Sequence, residues 1–496
     1  MVSLVVVLPL LGAALLLLRP WGPVASRAVW LGTAAVDLAL LLVVVARYRT
    51  PPAGGLTEAD QVGWIPGLGV SYHVGVDGLS LPMLLLSDVL FLACAVWSLR
   101  GDDKVRRLAA LFLALQTTCL GLFAAQDLIL FFLFFDLSIV AMYAVIAGWG
   151  HGEARRAALQ FFLYTFTGSL ALLVGFIGLA LRTAPHTFDI PTLTARAAEG
   201  GTKAGSGLAV LGLVLLGLAI KTPTVPFHTW LPPAHTDAPS IGSAVLAGVL
   251  LKMGTYGFLR VGLPLLPDAW RSWAWVIIVV GLVSVLYGAL VALAQDNLKR
   301  MIAYTSVNHM GYVVLAVGAA GLVAPDTATA REVAVTGAVT QMVSHGLITG
   351  ALFLLAGVLR DRSGTYAMDR FGGLAGVAPR YSTLFVAGAL ASLGLPGLSG
   401  FVAELQIFTG SIAGTWWAAL ALPGILLTAA LFLRAFHRVF TGDRGPASAG
   451  FADLTGSELI GAGGLLLASV LIGLVPGPLL TLIRPFAATA VAVLGR

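Results

Sequence analysis

The sequence predicts an all-α polytopic membrane protein of about 14 transmembrane helices. Three observations carry this expectation. The residues are 58% hydrophobic and only 10% charged, the mean hydropathy is +0.94, and the apolar residues gather in long runs. Soluble domains are about half apolar and a quarter charged, so the excess apolar surface has to meet lipid.

A helix rises about 1.5 Å per residue, so about 17–25 apolar residues cross the roughly 30 Å hydrocarbon layer. Fourteen runs meet that need, near 3–18, 28–46, 79–99, 108–125, 128–149, 157–181, 206–230, 239–259, 272–294, 301–323, 333–359, 381–411, 415–433 and 457–479. The first has no basic region ahead of it and no small-residue cleavage site, so it reads as a span and not a signal peptide. The long polar insertions are 47–78, 182–205, 360–380 and 434–456, none large enough for a soluble domain. The first contains GVSYHVGVDGLS, whose alternation and glycines predict a short surface hairpin. The seventh run is interrupted by Pro223 and Pro226, and the twelfth by Pro396 and neighbouring glycines. Both are expected to be broken helices. A break at membrane depth is tolerated where the freed backbone faces protein or water, and paired breaks fit transporter-like structural repeats with ion sites at the discontinuities.

Charge placement orients the chain. Most of the 29 Lys and Arg fall in loops after odd-numbered runs, which puts those loops in the cytoplasm and both termini outside. Arg47, Arg49, Arg182 and Arg196 fall on the other side. Two basic residues remain inside the runs, Lys221 and Lys252. The net charge of +6 comes from loop arginines; without a dense basic run and interleaved aromatics, nucleic-acid binding is excluded. Cys94 and Cys119 sit in apolar runs and read as small buried hydrophobes, not as a disulfide or metal framework. No cysteine cluster for iron–sulfur, Rossmann glycine fingerprint, flavin or haem signature is present.

An ammonium at membrane depth costs several kcal/mol, so Lys221 and Lys252 call for a functional reason. Their alternative is a structural ion pair or snorkelling, which central placement opposes. Asp136 lies near the middle of the fifth run, and Glu404 lies eight residues past Pro396. Either is a relay group, or a hydrogen-bonded carboxyl that only joins helices. Desolvation disfavours an ammonium and a nearby carboxylate favours it, so a lysine–carboxylate pair can capture and release a proton as its partner moves. Asp136 with Lys221 is expected to form such a pair, Lys252 to be the next station and Glu404 an entry or exit group. His309 and His345 suit a proton wire near neutral pH, though packing histidines are an equal reading. Asp37 and Asp88 lack a partner motif and read as structural. His228 and His235 are expected to end the broken helix at the interface, and the FFLFF ahead of Asp136 to face lipid.

AIKTPTVPFHTWLPPAHTDAPSIGSAVLAGVLLKMGTYGFLRVGLPLLP is similar, almost word for word, to the signature of the antiporter-like proton-pumping subunits of NADH-quinone oxidoreductase (respiratory complex I), in particular the subunit M or chain 4 group. GVDGLSLPMLLL, LAQDNLKRMIAYTSVNHMGYVVLAV, QMVSHGLITGALFLLAGVLRDRSGT and LPGLSGFVAELQIF resemble further blocks in the same order, over roughly residues 75–410. The resemblance implies two inverted five-helix repeats with broken helices 7 and 12. Residues 1–106 would hold helices 1–3, 107–263 the first repeat, 264–440 the second and 441–496 the last helix. It also implies that the family's fifth-helix carboxylate falls on Asp136, its switch lysine on Lys221, its central lysine on Lys252 and its terminal glutamate on Glu404. The family usually has glutamate where Asp136 stands, so the reach is one methylene shorter.

On these grounds the chain reads as a proton-translocating subunit of a bacterial inner-membrane enzyme, with no cofactor of its own. NADH, FMN, iron–sulfur clusters and quinone are expected in partner subunits, and the partners are the other membrane-arm subunits and the bilayer. The alternatives are a subunit of a multi-subunit cation/proton antiporter or membrane-bound hydrogenase, or a non-pumping structural subunit.

Overall fold

The computed structural model describes residues 1–51, 55–99, 105–199 and 204–495. Arg100 and Lys104, two of the odd-loop charges, and Lys203 lie outside the described residues. The chain folds into helices α1 (Val2–Leu18), α2 (Pro23–Arg47), α3 (Ser80–Trp97), α4 (Val105–Ala124), α5 (Leu128–Trp149) and α6 (Ala154–Ala180). Next come α7 (Ile190–Ala198), α8 (Ala204–Lys221), α9 (Leu231–Asp237) and α10 (Ser240–Leu265). The remainder comprises α11 (Pro267–Leu293), α12 (Leu298–Ala319), α13 (Ala328–Ser363), α14 (Pro379–Ser392), α15 (Ser399–Gly414), α16 (Trp416–Phe440), α17 (Gly456–Leu474) and α18 (Gly477–Gly495).

Among the described residues, 11 helices are long and apolar enough to cross a membrane. Val2–Leu18 and Gly207–Lys221 are shorter apolar helices. α18 is an addition to the expectation, since no run was assigned past residue 479; Arg484 and Pro485 interrupt its apolar pattern. A hairpin forms, but GVSYHVGVDGLS supplies only its second strand, the first coming from Thr57–Ile65 upstream. β1 (Thr57–Ile65) pairs antiparallel with β2 (Val70–Val76) in the register Gln61 to His73, turning at Gly69, whose φ is 69°. Both expected breaks are present too. α8 stops at Lys221 and resumes as α9, and α14 stops at Ser392 and resumes as α15.

Small residues decide which helices touch. A Cβ on Gly281 or Gly288 of α11 would lie 2.6 and 2.7 Å from the backbone nitrogens of Leu315 and Asn308 on α12, and one on Gly311 2.7 Å from Val285 N. Only glycine permits that approach, which is how helices associate where lipid removes the hydrophobic driving force. α10 and α13 are buried along their whole hydrophobic windows, whereas α2, α16, α17 and α18 turn about two-thirds of theirs outward. The lipid-facing layer therefore surrounds a centre built on α10 and α13.

Two expectations about position are corrected. Lys221 and Lys252 are not the only basic residues in helical spans, because α10 runs on to Leu265 and buries Arg260, and Lys299 is buried in the first turn of α12. The FFLFF segment does not face lipid as a whole. Phe131 and Phe135, four residues apart on one helix face, are fully buried and stack at 6.1 Å.

Arg260 is tolerated because its charge is matched. Its guanidinium donates to Asp77 Oδ2 at 2.8 Å and Oδ1 at 2.6 Å, and its Nε donates to the Tyr256 hydroxyl at 3.0 Å. Asp77 Oδ1 also accepts from the Leu79 and Ser80 amides at the start of α3. Burial alone would raise the Asp77 carboxyl, but Arg260 outweighs it and holds the group below its ordinary 3.8. Asp77→Asn leaves the buried guanidinium without a counter-charge and is expected to cost about 3–5 kcal/mol. A depressed carboxyl contributes stability above its unfolded value and loses it as pH falls through the lower folded value. In thermal unfolding, the gap between wild type and Asp77→Asn is therefore constant above about pH 4 and narrows below it. A gap independent of pH down to full protonation would rule out the charge as its source.

Candidate functional site

The break after α8 is a satisfied one. Trp230 Nε1 donates to the Ile220 carbonyl at 3.0 Å, the Thr224 hydroxyl donates to the Ala219 carbonyl at 3.3 Å, and Val225 N donates to the Ser284 hydroxyl at 3.0 Å. These partners replace the helical hydrogen bonds that prolines 223 and 226 cannot continue. The last residue before the break is Lys221, 1% exposed. Its Nζ donates to Ser138 Oγ at 3.4 Å and lies 4.7 Å from the ring centre of Phe135 and 5.9 Å from that of Phe161. Aromatic faces attract an ammonium through the ring quadrupole, most strongly away from water.

Asp136 is not in direct contact with Lys221. No ion pair within 4.0 Å joins them among the described residues, and Asp136 Oδ1 is buried without a hydrogen-bond partner. The reason is the face of α5. At about 100° per residue, Phe135 and Ser138 point one way and Asp136 lies on the flank, half-buried, next to the outward-facing Leu137. The short aspartate does not reach round. The two groups remain within electrostatic reach of one another.

Lys252 sits at the protein centre with 0% exposure. Just ahead of it, Leu246–Leu250 winds as a π-turn, an irregularity that recurs at functional positions. The Lys252 ammonium donates to the carbonyl of Ala247 in that turn and contacts His345 Nδ1 at 2.6 Å. A lysine and an imidazole at that distance share a proton between two bases. Gly254, on the next turn of α10, lets α8 come close; a Cβ there would fall 2.2 Å from Thr222 Oγ1.

The series continues on α12 and α13. The His345 and His309 rings meet edge to face with centres 5.4 Å apart. His309 Nε2 donates to the Ser392 carbonyl at 3.3 Å, which fixes its tautomer. His309 Nδ1 and His345 Nε2 are buried and unpartnered. Beside them His309, His345, Gln341, Ser344, Ser392 and Glu404 line a cavity of about 10 Å³, room for about one water. Glu404, on α15 past the second break, is 7% exposed. Its Oε2 fills the space at Gly394, where φ is 68° and a Cβ would come within 2.5 Å of the carboxylate.

Of the six residues the sequence singled out, the fold brings Lys252, His345, His309 and Glu404 into one connected polar region. Lys221 lies against α10 on the α8 side of it, and Asp136 lies at the flank. Sequence reasoning placed His235 at an interface. It is instead fully buried, stacked on Phe353 at 4.4 Å, with both ring nitrogens unpartnered and within electrostatic reach of Lys252 and Lys299. His228 is also buried, edge-on to Tyr287 at 5.1 Å. Lys299 donates to the Ala238 carbonyl at 2.6 Å, just past the C-terminal end of α9, where a cation is favoured. A histidine between Pro233 and Pro239 carries no periodicity, so only its place inside a broken span could have signalled burial.

Comparison with known proteins places the chain in a family. Residues 125–430 match the family model described as NADH:quinone oxidoreductase/Mrp antiporter, TM. The chain is 39% identical over 457 residues to NAD(P)H-quinone oxidoreductase chain 4 of Nostoc sp., covering 90% of this chain and 82% of that one. It is 36% identical to NADH-quinone oxidoreductase subunit M of Rhodobacter capsulatus, covering 98% and 95%. Among solved structures, a chain of respiratory complex I from Thermus thermophilus with bound NADH superposes with a TM-score of 0.90 at 33% identity over 100% of both chains. A chain of the Mrp complex from Dietzia sp. shares the fold, with a TM-score of 0.83 at 23% identity, covering 100% and 97%.

Proposed function

Because the chain belongs to the NADH:quinone oxidoreductase/Mrp antiporter transmembrane family, we propose that it is a proton-translocating membrane subunit of a NADH-quinone oxidoreductase. The observation that carries the proposal is the contact of Lys252 with His345, continued through His309 to the water-sized cavity at Glu404. Protons move along Asp136, Lys221, Lys252, His345, His309 and Glu404, and the energy comes from electron transfer in partner subunits. NADH, FMN, iron–sulfur clusters and quinone belong to those partners, and the redox step is theirs.

Each residue type suits its position. Lys221 holds a proton in the Phe135–Phe161 cage and passes it on when that charge becomes unfavourable. Lys252 and His345 differ in basicity but share one contact, so a small change in local field moves the proton between them. His309, tethered to the Ser392 carbonyl through Nε2, offers Nδ1 as its free acceptor. Glu404 supplies the terminal carboxylate.

Two inverted five-helix repeats, 107–263 and 264–440, fit matching local features. α5 and α12 are the second helices of the two repeats, and each starts on a capping residue, Asp127 and Asn297. Each cap forms an isolated bridge into a later loop, Asp127 with Asp189 and Asn297 with Ala367. The fourth helix of each repeat is the broken one. On this reading residues 1–106 add three flanking helices and 441–496 the C-terminal part. Counted with α17 as the last span, the chain crosses the bacterial cytoplasmic membrane about 14 times, with both termini outside the cytoplasm, among other membrane-arm subunits.

The resemblance implies a glutamate where Asp136 stands, and that difference makes a prediction. Asp136→Glu adds one methylene of reach toward Lys221 and is expected to keep or raise proton translocation, while Asp136→Asn lowers it severalfold in normally assembled protein. Full translocation by Asp136→Asn would favour a structural subunit. The parent complex is tested by purifying the chain from its native membrane and identifying what accompanies it. NADH dehydrogenase and quinone-site subunits are expected. Small antiporter subunits or a nickel–iron hydrogenase would assign it to the related complexes.

A further inference from the structure

α2, α3 and α4 enclose a polar group that the lysine–histidine series does not use. Asp37, Asp88 and Gln116, one from each helix, all have 0% exposure. Gln116 Nε2 donates to Asp37 Oδ2 at 3.1 Å and to Asp88 Oδ1 at 2.9 Å, so one amide nitrogen holds both carboxyls together. Asp37 Oδ1, Asp88 Oδ2 and Gln116 Oε1 are left as buried acceptors without a donor.

That count lacks a hydrogen. A carboxylate only accepts, and a buried acceptor without a donor is costly, so a proton on one carboxyl supplies a donor that Asp37 Oδ1 and Asp88 Oδ2 otherwise lack. Bonded to one nitrogen at 3.1 and 2.9 Å, the two carboxyls have oxygens within about 6 Å of each other; ionised together they would repel by about 3 kcal/mol at an effective dielectric of about 20, on top of the desolvation of each. Among the described residues, no ion pair within 4.0 Å reaches Asp37 or Asp88 to offset this; Arg484 belongs to α18, which touches α3, and Lys221 is within electrostatic reach of Cys119 on α4. α1 has no ionisable side chain, Arg27 and Arg47 of α2 lie toward its ends, and Arg106 and Arg107 sit in the first turn of α4. Cys94 and Cys119 are the other titratable side chains inside α3 and α4. On α17, which packs on α3, Glu458 is bonded to Arg362. α13 and α10 approach the other side of α3, where Leu86 packs on Gly346 and Leu90 on Gly248 and Gly350. Asp88 is about 200° round the helix from Leu86 and so points away from His345 and Lys252.

We propose that Asp37 and Asp88 form a proton-binding pair, sharing one proton between their two carboxyls and clasping α2, α3 and α4 outside the translocation series. The ligand is a proton and not a metal cation. Among the described residues no three His, Cys, Asp or Glu side chains gather to hold a metal ion, and two carboxyls fall short of the six or more oxygen ligands a hard cation takes.

Infrared difference spectra of the complex in its native membrane, recorded through a pH titration, test this. The expected result is a protonated carboxylic-acid band at neutral pH, equivalent to one acid, that is missing in the Asp37→Asn, Asp88→Asn double variant. Identical spectra for wild type and double variant would overturn the proposal, as would a band that sodium removes at constant pH. If the double variant does not assemble, Asp88→Asn alone decides it. A coupled pair releases protons in two steps, so the single variant is expected to lose one step, and an unchanged titration overturns the pair. Proton translocation need not be measured, so failure here leaves the proposed function separately testable.

Discussion

Replacing Lys252 by methionine is expected to reduce proton translocation at least about tenfold, the effect of about 1.4 kcal/mol on a transfer barrier, while the complex assembles normally. Methionine fits the same apolar space with an unbranched side chain. Two polar groups lose their partner, however. The Ala247 carbonyl in the π-turn loses its ammonium donor, and His345 Nδ1 loses the base 2.6 Å away with which it shares a proton. His309 is then cut off, because His345 is its neighbour in the series. The measurement is acidification of the interior of vesicles carrying the complex, alongside subunit content. Normal translocation by assembled Lys252→Met would exclude the central lysine from the path.

Lys221→Ala is expected to have an effect of similar size by a different route. Its ammonium is held by two aromatic faces and a single long hydrogen bond to Ser138, not by a direct carboxylate contact. A charge so weakly tied is well suited to change state. Alanine also empties a space between Phe135, Phe161 and Ser138, so some loss of stability accompanies the loss of function. Lys221→Met separates the two effects. It refills the space without restoring the charge, and it is expected to recover stability but not translocation. Recovery of both would make Lys221 a packing residue.

How far the sequence reaches depends on what kind of signal a residue leaves. Lys221 and Lys252 were legible because a charge in an apolar run is costly wherever the run folds. The broken helices were legible because Pro223, Pro226 and Pro396 interrupt the backbone whatever surrounds them. One strand of the hairpin was legible from alternation in 69–76, and its partner, Thr57–Ile65, was not. Other features depend on angles round a helix. Asp136 and Lys221 were expected to touch, but Ser138 takes that place, because two residues along α5 turn the side chain by about 200°. His235 was misplaced because it lies in a short piece between prolines, where no period exists to read. Arg260 reads as a loop residue because α10 extends past an apolar run that ends sooner. The Asp37–Gln116–Asp88 cluster joins three helices, and nothing in the spacing of those residues foretells the meeting. α18 was missed because Arg484 and Pro485 break its pattern.

The central claim is that this chain couples proton movement to electron transfer carried out by its partners. It is tested most directly by the ratio of protons translocated to electrons transferred in vesicles containing the assembled complex, compared between wild type and Lys252→Met. The expected result is a lower ratio in the variant, with electron transfer continuing and subunit content unchanged. An unchanged ratio in fully assembled Lys252→Met complex would contradict the claim.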